Sequence, residues 1–346
     1  MSFDENEVPS SSETESQRPS PRAFTREQMV TCDVCLRANP PTRTSCLYCA
    51  AQLPTTAANT ALQRPTLRKL EKWEQGFNAL LLPGNLQPLT GTGLGEMAQL
   101  LRLEPEDLKR IIEAGVPLPL AHAATLAEAS FIERQLAAAG VSMMTVADGE
   151  LLPEAYAPKR ARALEINEDE LVIYLAGGNG TERVAWSEIL LLVAGRLFAR
   201  RIEVEERKGR KAEKEIVDAR EMSADDPVLD VYSTRNDAAW RIVASGFDFS
   251  CLGAQKGLVS GQNFSTLTGI LRGRASGALF SDSYLRVRHA LAPVWPLEEH
   301  TESGGRRRRT GRINTEAVTK SDNEMQFTRY SRLQYYLRLH HPELSA

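Results

Sequence analysis

The apolar residues between positions 67 and 148 recur at helical spacing. Leu108, Ile111 and Ile112 lie three and four positions apart after an acidic start, which predicts an amphipathic helix. A second helix is predicted to begin at the T-x-x-E capping box formed by Thr125 and Glu128. Ala129, Ile132 and Leu136 lie on one apolar face of this helix, and Gly140 is predicted to end it. The apolar runs 77–82 and 141–146 predict two strands that pair with each other. We therefore predict a small α/β domain over this part of the chain.

From residue 161 onward the apolar period shifts towards two, which is typical of strands. Short strands separated by turn residues predict a β-meander, at 163–166, 171–176, 183–186, 189–192 and 197–203. Two more strands, at 228–232 and 240–243, and a helix from near Asn263 complete a β-rich domain. The charged stretch 205–226 is interpreted as a solvated loop, and Ser303–Arg312 as a flexible basic joint.

Changes in composition divide the chain into modules. The first 28 residues are rich in Ser, Glu and Pro with few apolar residues, which predicts a disordered lead. Near the other end, Phe327, Tyr330, Leu333 and Leu337 form a helical stripe that we expect to pack on the preceding domain. The predicted fold class is a multidomain α+β protein. Its first parts are a lead (1–28), a cysteine module (29–54), a linker (55–66) and a small α/β domain (67–148). A second linker (149–160), an antiparallel β-rich domain with a closing helix (161–299), a basic linker (300–312) and a tail with a helix (313–346) follow.

Four cysteines in the second module have the spacing C-x2-C-x10-C-x2-C. Cys32, Cys35, Cys46 and Cys49 can meet as four thiolates at the corners of one tetrahedron. The spacing therefore predicts one structural Zn²⁺. Because protein sulfur occupies all four corners, such a site has no open position for water or substrate. The fifth cysteine, Cys251, stands in an apolar stretch and is interpreted as a buried core thiol.

Together with Asn39, this cysteine spacing is similar to two families, the minimal zinc ribbons of bacterial proteins and the Ran-binding-protein type zinc finger. The ribbons usually carry glycine after each knuckle, where this chain has Leu36 and Ala50. The finger family has a tryptophan two residues before its first cysteine, where this chain has Val30. We prefer the plain ribbon of the two.

Arginines supply the candidate nucleic-acid contacts. Resemblance to the finger family implies binding of single-stranded RNA through arginines and an aromatic platform, and it makes Arg37 and Arg43 candidate phosphate ligands. A second candidate group is the run Arg306, Arg307, Arg308 and Arg309, which could neutralise several phosphates. We prefer to interpret that run as a solvated linker.

Two weaker resemblances concern the larger domains. Leu101–Val146 resembles the C-terminal domain of the bacterial ribosomal stalk protein, in which a helix hairpin precedes a capped helix and an edge strand. This resemblance implies a small α/β sandwich, and an unrelated helix hairpin with a strand is the alternative. The order of strands and helix around Val184–Ile189 resembles the pleckstrin-homology-like barrel, and another antiparallel α+β domain is its alternative.

Composition narrows the function classes. A net charge of −3 excludes binding of nucleic acid through overall charge, but it leaves room for local patches. Cysteine usage suits a reducing compartment, and the sequence shows neither an export signal nor an apolar run long enough to span a bilayer. We expect a cytoplasmic protein.

Three functional hypotheses follow from the sequence. The first is a non-enzymatic zinc-binding adaptor or regulatory protein with an unidentified protein partner, because the metal site is closed. The second is a nucleic-acid-binding protein that uses the cysteine module and the basic linker. The third is an enzyme with its site in the β-rich domain, which rests only on the size of that domain. We prefer a non-enzyme, because no histidine has a recognisable catalytic spacing to a cysteine or a carboxylate.

Overall fold

A computed structural model describes most of the chain. The described residues are 24–54, 56, 59, 62–63, 65, 67–71, 74–83, 91–153, 156–178, 180–208, 214–309 and 312–344. The predicted disordered lead therefore lies mostly outside the described residues. The chain is a mixed α+β protein that divides into two compact units, Met1–Arg64 and Pro65–Ala346.

The first unit is built on two short hairpins. Strands β1 (Val30–Thr31) and β2 (Ala38–Asn39) pair antiparallel, a 3₁₀ turn (Arg26–Gln28) precedes them, and Ser45 forms an isolated bridge with Gln52. The small core of this unit consists of Cys32, Cys46 and Leu53.

The second unit begins with a three-stranded antiparallel sheet and its helices. The strands lie in the order β4-β3-β5, and they are β3 (Phe77–Leu81), β4 (Leu118–Ala123) and β5 (Met143–Ala147). The helices are α1 (Gly91–Leu101), α2 (Pro105–Glu113), α3 (Leu126–Ala138) and the single turn α4 (Asp148–Leu151). The predicted helices and the predicted pairing of the two apolar runs are confirmed.

Local sequence signals explain most of these elements. Thr125 Oγ1 accepts the Glu128 N–H at 3.2 Å, so the predicted cap of α3 is present. Strand β4 was not predicted, because Pro119 interrupts its sequence. The strand lies at an edge of the sheet, where a missing backbone N–H is tolerated.

A large, mostly antiparallel sheet forms the rest of the second unit. Its order is β13-β14-β9-β10-β11-β6-β7-β8, and β12 pairs with β9. Among the pairings of these strands in the described residues, β11–β6 and β12–β9 are parallel, and an isolated bridge between Ala163 and Asp248 is parallel as well. The strands are β6 (Lys159–Ile166), β7 (Glu170–Leu175), β8 (Thr181–Ala185), β9 (Ile189–Lys208), β10 (Lys214–Ser233), β11 (Asn236–Val243), β12 (Leu279–Ser281), β13 (Glu298–Arg309) and β14 (Arg312–Asp322).

Helices and 3₁₀ turns accompany this sheet. They are the turns Trp186–Glu188, Phe249–Gln255 and Pro342–Leu344 and the helices α5 (Ser260–Arg274), α6 (Tyr284–Leu291) and α7 (Glu324–His340). The predicted C-terminal stripe on α7 is fully buried, and it shares one core cluster with residues of the three-stranded sheet and of β9. The stripe therefore packs against its own protein, as predicted.

Two segments expected to be loops are strands. Residues 205–208 and 214–226 of the charged stretch lie on the paired strands β9 and β10, and residues 303–309 and 312 of the basic joint lie on the paired strands β13 and β14. Residues 219–225 are exposed on both faces of their strand, so no alternation of apolar and polar residues marks it. The two strands predicted at 189–192 and 197–203 are likewise one continuous strand, β9.

Candidate metal centre and polar clusters

Four sulfur atoms meet in the first unit. The Sγ atoms of Cys32, Cys35, Cys46 and Cys49 all lie within 4.8 Å of one another. The Cys32–Cys49 separation is 3.6 Å and the Cys35–Cys46 separation is 3.4 Å. A tetrahedral ion with metal–sulfur bonds of about 2.3 Å separates its ligands by about 3.8 Å. The donor set and its spacing therefore fit a metal ion.

Each cysteine pair is held by a tight turn. Leu36 N donates to Cys32 O at 2.9 Å, and Ala50 N donates to Cys46 O at 3.1 Å. These turns place Leu36 at φ 56° and Ala50 at φ 58°, in the left-handed region that favours glycine. The two positions where zinc ribbons carry glycine thus have glycine-like backbone here, in spite of their side chains.

Asn39 connects the two turns from the centre of the module. Its buried side chain donates to Arg37 O at 2.8 Å and to Cys46 Sγ at 3.5 Å, and it accepts the Leu47 N–H at 2.8 Å. Asn39 is therefore not one of the four sulfur ligands, but its hydrogen bonds hold the cysteine turns in place around the sulfur cluster.

The thiols have unequal acidity without a metal ion. Burial alone would raise the pKa of Cys46, but hydrogen bonds from the backbone of Tyr48 and Cys49 and from the side chains of Cys35 and Asn39 lower it to about 6. The Ala51 backbone N–H favours the Cys49 thiolate, yet burial and the other three cysteines raise the pKa of Cys49 to about 12. A bound cation would stabilise all four thiolates and displace their protons.

The two predicted phosphate ligands of the module have different surroundings. The Arg37 guanidinium lies 4.6 Å from the centroid of the Tyr48 ring. Arg43 is half-buried, and its Nε donates to Ser45 O at 3.2 Å. Tyr48 lies between the last two cysteines and is an exposed aromatic side chain that the comparison at Val30 did not reveal.

Large apolar side chains project from the two cysteine turns into solvent. We call four of these residues the knuckle patch, and their exposed fractions are 72% for Val34, 76% for Leu36, 53% for Leu47 and 56% for Tyr48. They flank the cysteines in sequence and lie outside the small core of this unit. Clustered exposed apolar residues of this kind mark interaction surfaces more often than isolated ones do.

The remaining predicted nucleic-acid residues lie in the second unit. Arg306, Arg307, Arg308 and Arg309 form the end of strand β13, and their side chains lie outside the described part of the structure. The sequence grouped them with Arg37 and Arg43, but these two arginines belong to the other compact unit.

A histidine–carboxylate pair that no local spacing indicated lies in a cleft of the second unit. His122 Nε2 is 2.7 Å from Asp148 Oδ2, and the cleft has a volume of about 780 Å³. Asp148 also accepts hydrogen bonds from Gly76 N at 2.8 Å and Asn78 Nδ2 at 2.9 Å. Burial would raise the pKa of Asp148, but the hydrogen bond and the charge of His122 hold it well below its usual range.

A chain of buried hydrogen bonds continues from this pair. Trp295 Nε1 donates to Asn78 Oδ1 at 2.9 Å, and Gln326 Nε2 donates to Trp295 O at 2.7 Å. Tyr284 Oη then donates to Gln326 Oε1 at 2.9 Å. The described residues that line the cleft include no Ser, Thr, Cys or Tyr beside the histidine. The chain of bonds therefore joins the small sheet to α6 and α7, and it places no side-chain hydroxyl or thiol nucleophile at His122.

Cys251 has the environment expected of a core thiol. It is half-buried beside the core cluster around Phe247, Phe249 and Leu252. Burial raises its pKa, which is the opposite of the shift that activates a nucleophilic cysteine.

The comparisons with known proteins add no relative. No family model, no curated protein and no solved structure matches the chain. Among the helices of the described residues, none combines the length and the hydropathy of a membrane span.

Proposed function

We propose that this protein is a non-enzymatic adaptor or regulatory protein whose cysteine module holds one structural Zn²⁺ and presents the knuckle patch to a protein partner. The observation that carries the proposal is the four-sulfur cluster, because its donor set suits zinc and leaves no coordination position for a substrate. The zinc-ribbon resemblance agrees with the left-handed backbone at Leu36 and Ala50.

The knuckle patch supports a binding role for the module. A metal-centred module of this size buries few apolar residues, yet four large apolar side chains stay exposed on its turns. Zinc would act at a distance from the partner, by fixing the turns that carry these side chains. Loss of zinc and loss of the patch should then have the same effect on binding.

A second candidate function is binding of single-stranded nucleic acid by the same module. Tyr48 favours it, because its exposed ring already stacks with Arg37 and could accept a base. Arg43 supports it less, because its guanidinium is engaged by Ser45.

Metal analysis tests the zinc site directly. Protein purified under reducing conditions should contain about one zinc per chain, and a Cys32→Ser/Cys35→Ser variant should contain almost none. A wild-type content near zero, or an equal content in the variant, would refute the metal assignment.

A pull-down with matched variants tests the adaptor role. The intact chain should retain a defined protein that is lost with Cys32→Ser/Cys35→Ser and with Val34→Ser/Leu36→Ser/Leu47→Ser. A control with Leu258→Ser/Val259→Ser/Leu285→Ser removes three exposed apolar residues of the second unit and should retain the protein. Equal retention by all variants would refute a role for the patch. Nuclease-sensitive retention that depends on Tyr48 would favour the nucleic-acid alternative.

A further inference from the structure

Arg329 is a half-buried cation of helix α7, and it lines the cleft that contains His122 and Asp148. Its Nε atom is buried without a hydrogen-bond partner, and its side chain forms no hydrogen bond or ion pair with any residue in the described part of the chain. Buried polar groups are almost always paired, because an unpaired donor loses its bonds to water without replacement. A bound anion would supply the missing acceptor.

Asp148 does not serve as that acceptor, because other donors already use its carboxylate. Gly76 N donates to Oδ2 at 2.8 Å, Asn78 Nδ2 donates to Oδ1 at 2.9 Å, and His122 Nε2 lies 2.7 Å from Oδ2. Burial would raise the pKa of Asp148, whereas the hydrogen bond and charge of His122 and then the charge of Arg329 lower it. Arg329 therefore acts on Asp148 through its charge and keeps its hydrogen-bond donors for another group.

Apolar side chains line the cleft together with this cation. Met325 precedes Arg329 by four residues, so both lie on one face of α7. Met325 and Leu297 are exposed although both line the cleft, and Leu70 and Leu152 line it as half-buried residues. A ligand with an apolar part would remove this surface from water.

We propose that the cleft binds a small organic acid that has one carboxylate and an aliphatic tail. The Arg329 guanidinium can donate two parallel hydrogen bonds to the carboxylate, and the tail would contact Met325 and Leu297. The cleft volume of about 780 Å³ is in the range of small-molecule sites. This ligand site goes beyond the proposed function, and it depends on neither the zinc ion nor the knuckle patch.

The charges of the cleft favour a ligand with a single negative charge. Asp148 is a buried carboxylate that interacts with Arg329 through its charge, so it would repel a second negative charge on the ligand. A phosphate monoester carries close to two negative charges at neutral pH. The other charged residues of the described lining have no excess of positive charge, and they are Arg68, Lys69, Arg102, Glu71, Glu74, Glu298 and Glu299. A carboxylate therefore suits the cleft better than a phosphate.

Isothermal titration calorimetry of the full-length, zinc-loaded protein tests the proposal with three matched probes. Octanoate has the charge and the tail, octanamide has the tail without the charge, and octyl phosphate has a larger charge on the same tail. The variant is Arg329→Gln, which removes the cation and keeps a polar side chain. The control is Arg338→Gln on the same helix, because Arg338 is not among the described residues that line the cleft.

Wild type and the Arg338→Gln control should bind octanoate with the same affinity, and both should bind octanamide and octyl phosphate more weakly. Arg329→Gln should bind octanoate roughly ten-fold or more weakly, because the charge-assisted hydrogen bonds are lost. Its affinity for octanamide should stay at the wild-type value, whereas Met325→Ser should weaken both probes. Arg329→Gln should melt at or above the wild-type temperature, since no hydrogen bond to a described residue is removed.

Equal octanoate affinities of wild type and Arg329→Gln would overturn the proposal, and so would an absence of octanoate binding to wild type. Octanamide or octyl phosphate binding as tight as that of octanoate would overturn it as well. A tetrapeptide that ends in leucine tests the other source of a carboxylate beside an apolar group. Tighter binding of this peptide than of octanoate, lost when its C-terminus is amidated, would assign the cleft to a peptide end instead.

The same variants separate this proposal from the zinc-dependent function. Arg329→Gln should keep the wild-type zinc content and the protein retained in the pull-down. Cys32→Ser/Cys35→Ser should lose zinc and still bind octanoate, because its substitutions lie in the other compact unit. Loss of octanoate binding in that cysteine variant would overturn the independence of the cleft from the zinc module.

Discussion

Arg241 and Asp230 are direct partners on strands β11 and β10 and form a buried, two-point ion pair. The Nε–Oδ1 distance is 2.7 Å and the Nη2–Oδ2 distance is 2.8 Å, with side chains 0% and 1% exposed. Arg241 Nη1 also donates to Thr328 Oγ1 at 3.0 Å. The pair therefore attaches α7 to the large sheet.

We expect Arg241→Ala to lower the free energy of unfolding by about 3 to 5 kcal/mol, because it leaves the Asp230 carboxylate buried and uncompensated. Urea unfolding followed by circular dichroism measures this loss. Arg200→Ala is the matched control, since Arg200 pairs with Glu221 on exposed strands and its loss should change little. The double variant Asp230→Leu/Arg241→Met should lose less than Arg241→Ala. Equal effects of Arg200→Ala and Arg241→Ala would contradict the assignment.

Gly195 marks the place where α7 lies against β9. A Cβ atom there would collide with the Phe327 ring and would lie 3.0 Å from Tyr284 Cδ1. We expect Gly195→Ala to lower the free energy of unfolding by about 1 to 3 kcal/mol through overpacking. Gly269 lies inside α5, where an added methyl group would meet no heavy atom of the described residues within 4 Å apart from its chain neighbours and the backbone of its own helix. Gly269→Ala should therefore raise the free energy of unfolding by about 0.5 to 1 kcal/mol. In thermal unfolding, the melting temperature should fall for Gly195→Ala and rise for Gly269→Ala relative to wild type.

Ala50 holds a left-handed backbone in the second cysteine turn. Replacing it by glycine removes steric strain but adds chain entropy to the unfolded state, so we expect a net gain of about 0.5 to 1 kcal/mol in the metal-bound fold. Competition with a chromophoric chelator should then show zinc held roughly two- to five-fold more tightly. Ala51→Gly is the control, since Ala51 has no positive φ, and it should bind zinc more weakly than wild type. A tighter complex with Ala51→Gly and a weaker one with Ala50→Gly would refute the strain argument.

The lowered pKa of Asp148 predicts a pH dependence of stability. A carboxyl whose pKa is lower in the folded state stabilises the fold above its unfolded pKa, and this contribution declines as the pH falls towards the folded pKa. In wild type the contribution should be complete at neutral pH and should decline below about pH 4. Asp148→Asn should therefore be less stable than wild type at pH 7, and the difference should narrow in acid.

Urea titrations at several pH values measure that difference. Glu133→Gln serves as a control, because it neutralises a different carboxylate of the second unit, which accepts a hydrogen bond from the uncharged Thr145 Oγ1 at 3.3 Å. A constant difference between Asp148→Asn and wild type at every pH would contradict a contribution from the Asp148 charge.

Several features could be predicted from the sequence because neighbouring residues produce them. The cap at Thr125 is a contact between residues three positions apart, and the stripe that contains Phe327 and Tyr330 follows from helical periodicity. The cysteine spacing predicted the sulfur cluster for the same reason, since each two-residue turn brings its own pair of thiols together.

Other features depend on contacts between distant residues, and the sequence did not indicate them. His122 and Asp148 lie 26 positions apart and meet beside Gly76, whose N–H donates to Asp148 Oδ2 and where a Cβ atom would lie 2.7 Å from His122 Nε2. Residues 219–225 of β10 escaped prediction because a strand exposed on both faces needs no apolar alternation, and charged residues are then compatible with pairing.

By itself, the sequence determined the helices α2, α3, α5 and α7, the alternating strands of the core and the four-cysteine cluster, because each of these is set by residue types at short spacing. Only the tertiary structure decided that most of the charged stretch and the arginine run lie on strands of one sheet, that Arg241 is neutralised by Asp230, and that His122 has a carboxylate partner. Backbone pairing and burial join residues that are far apart in sequence, and no local pattern of side chains records which of them will meet.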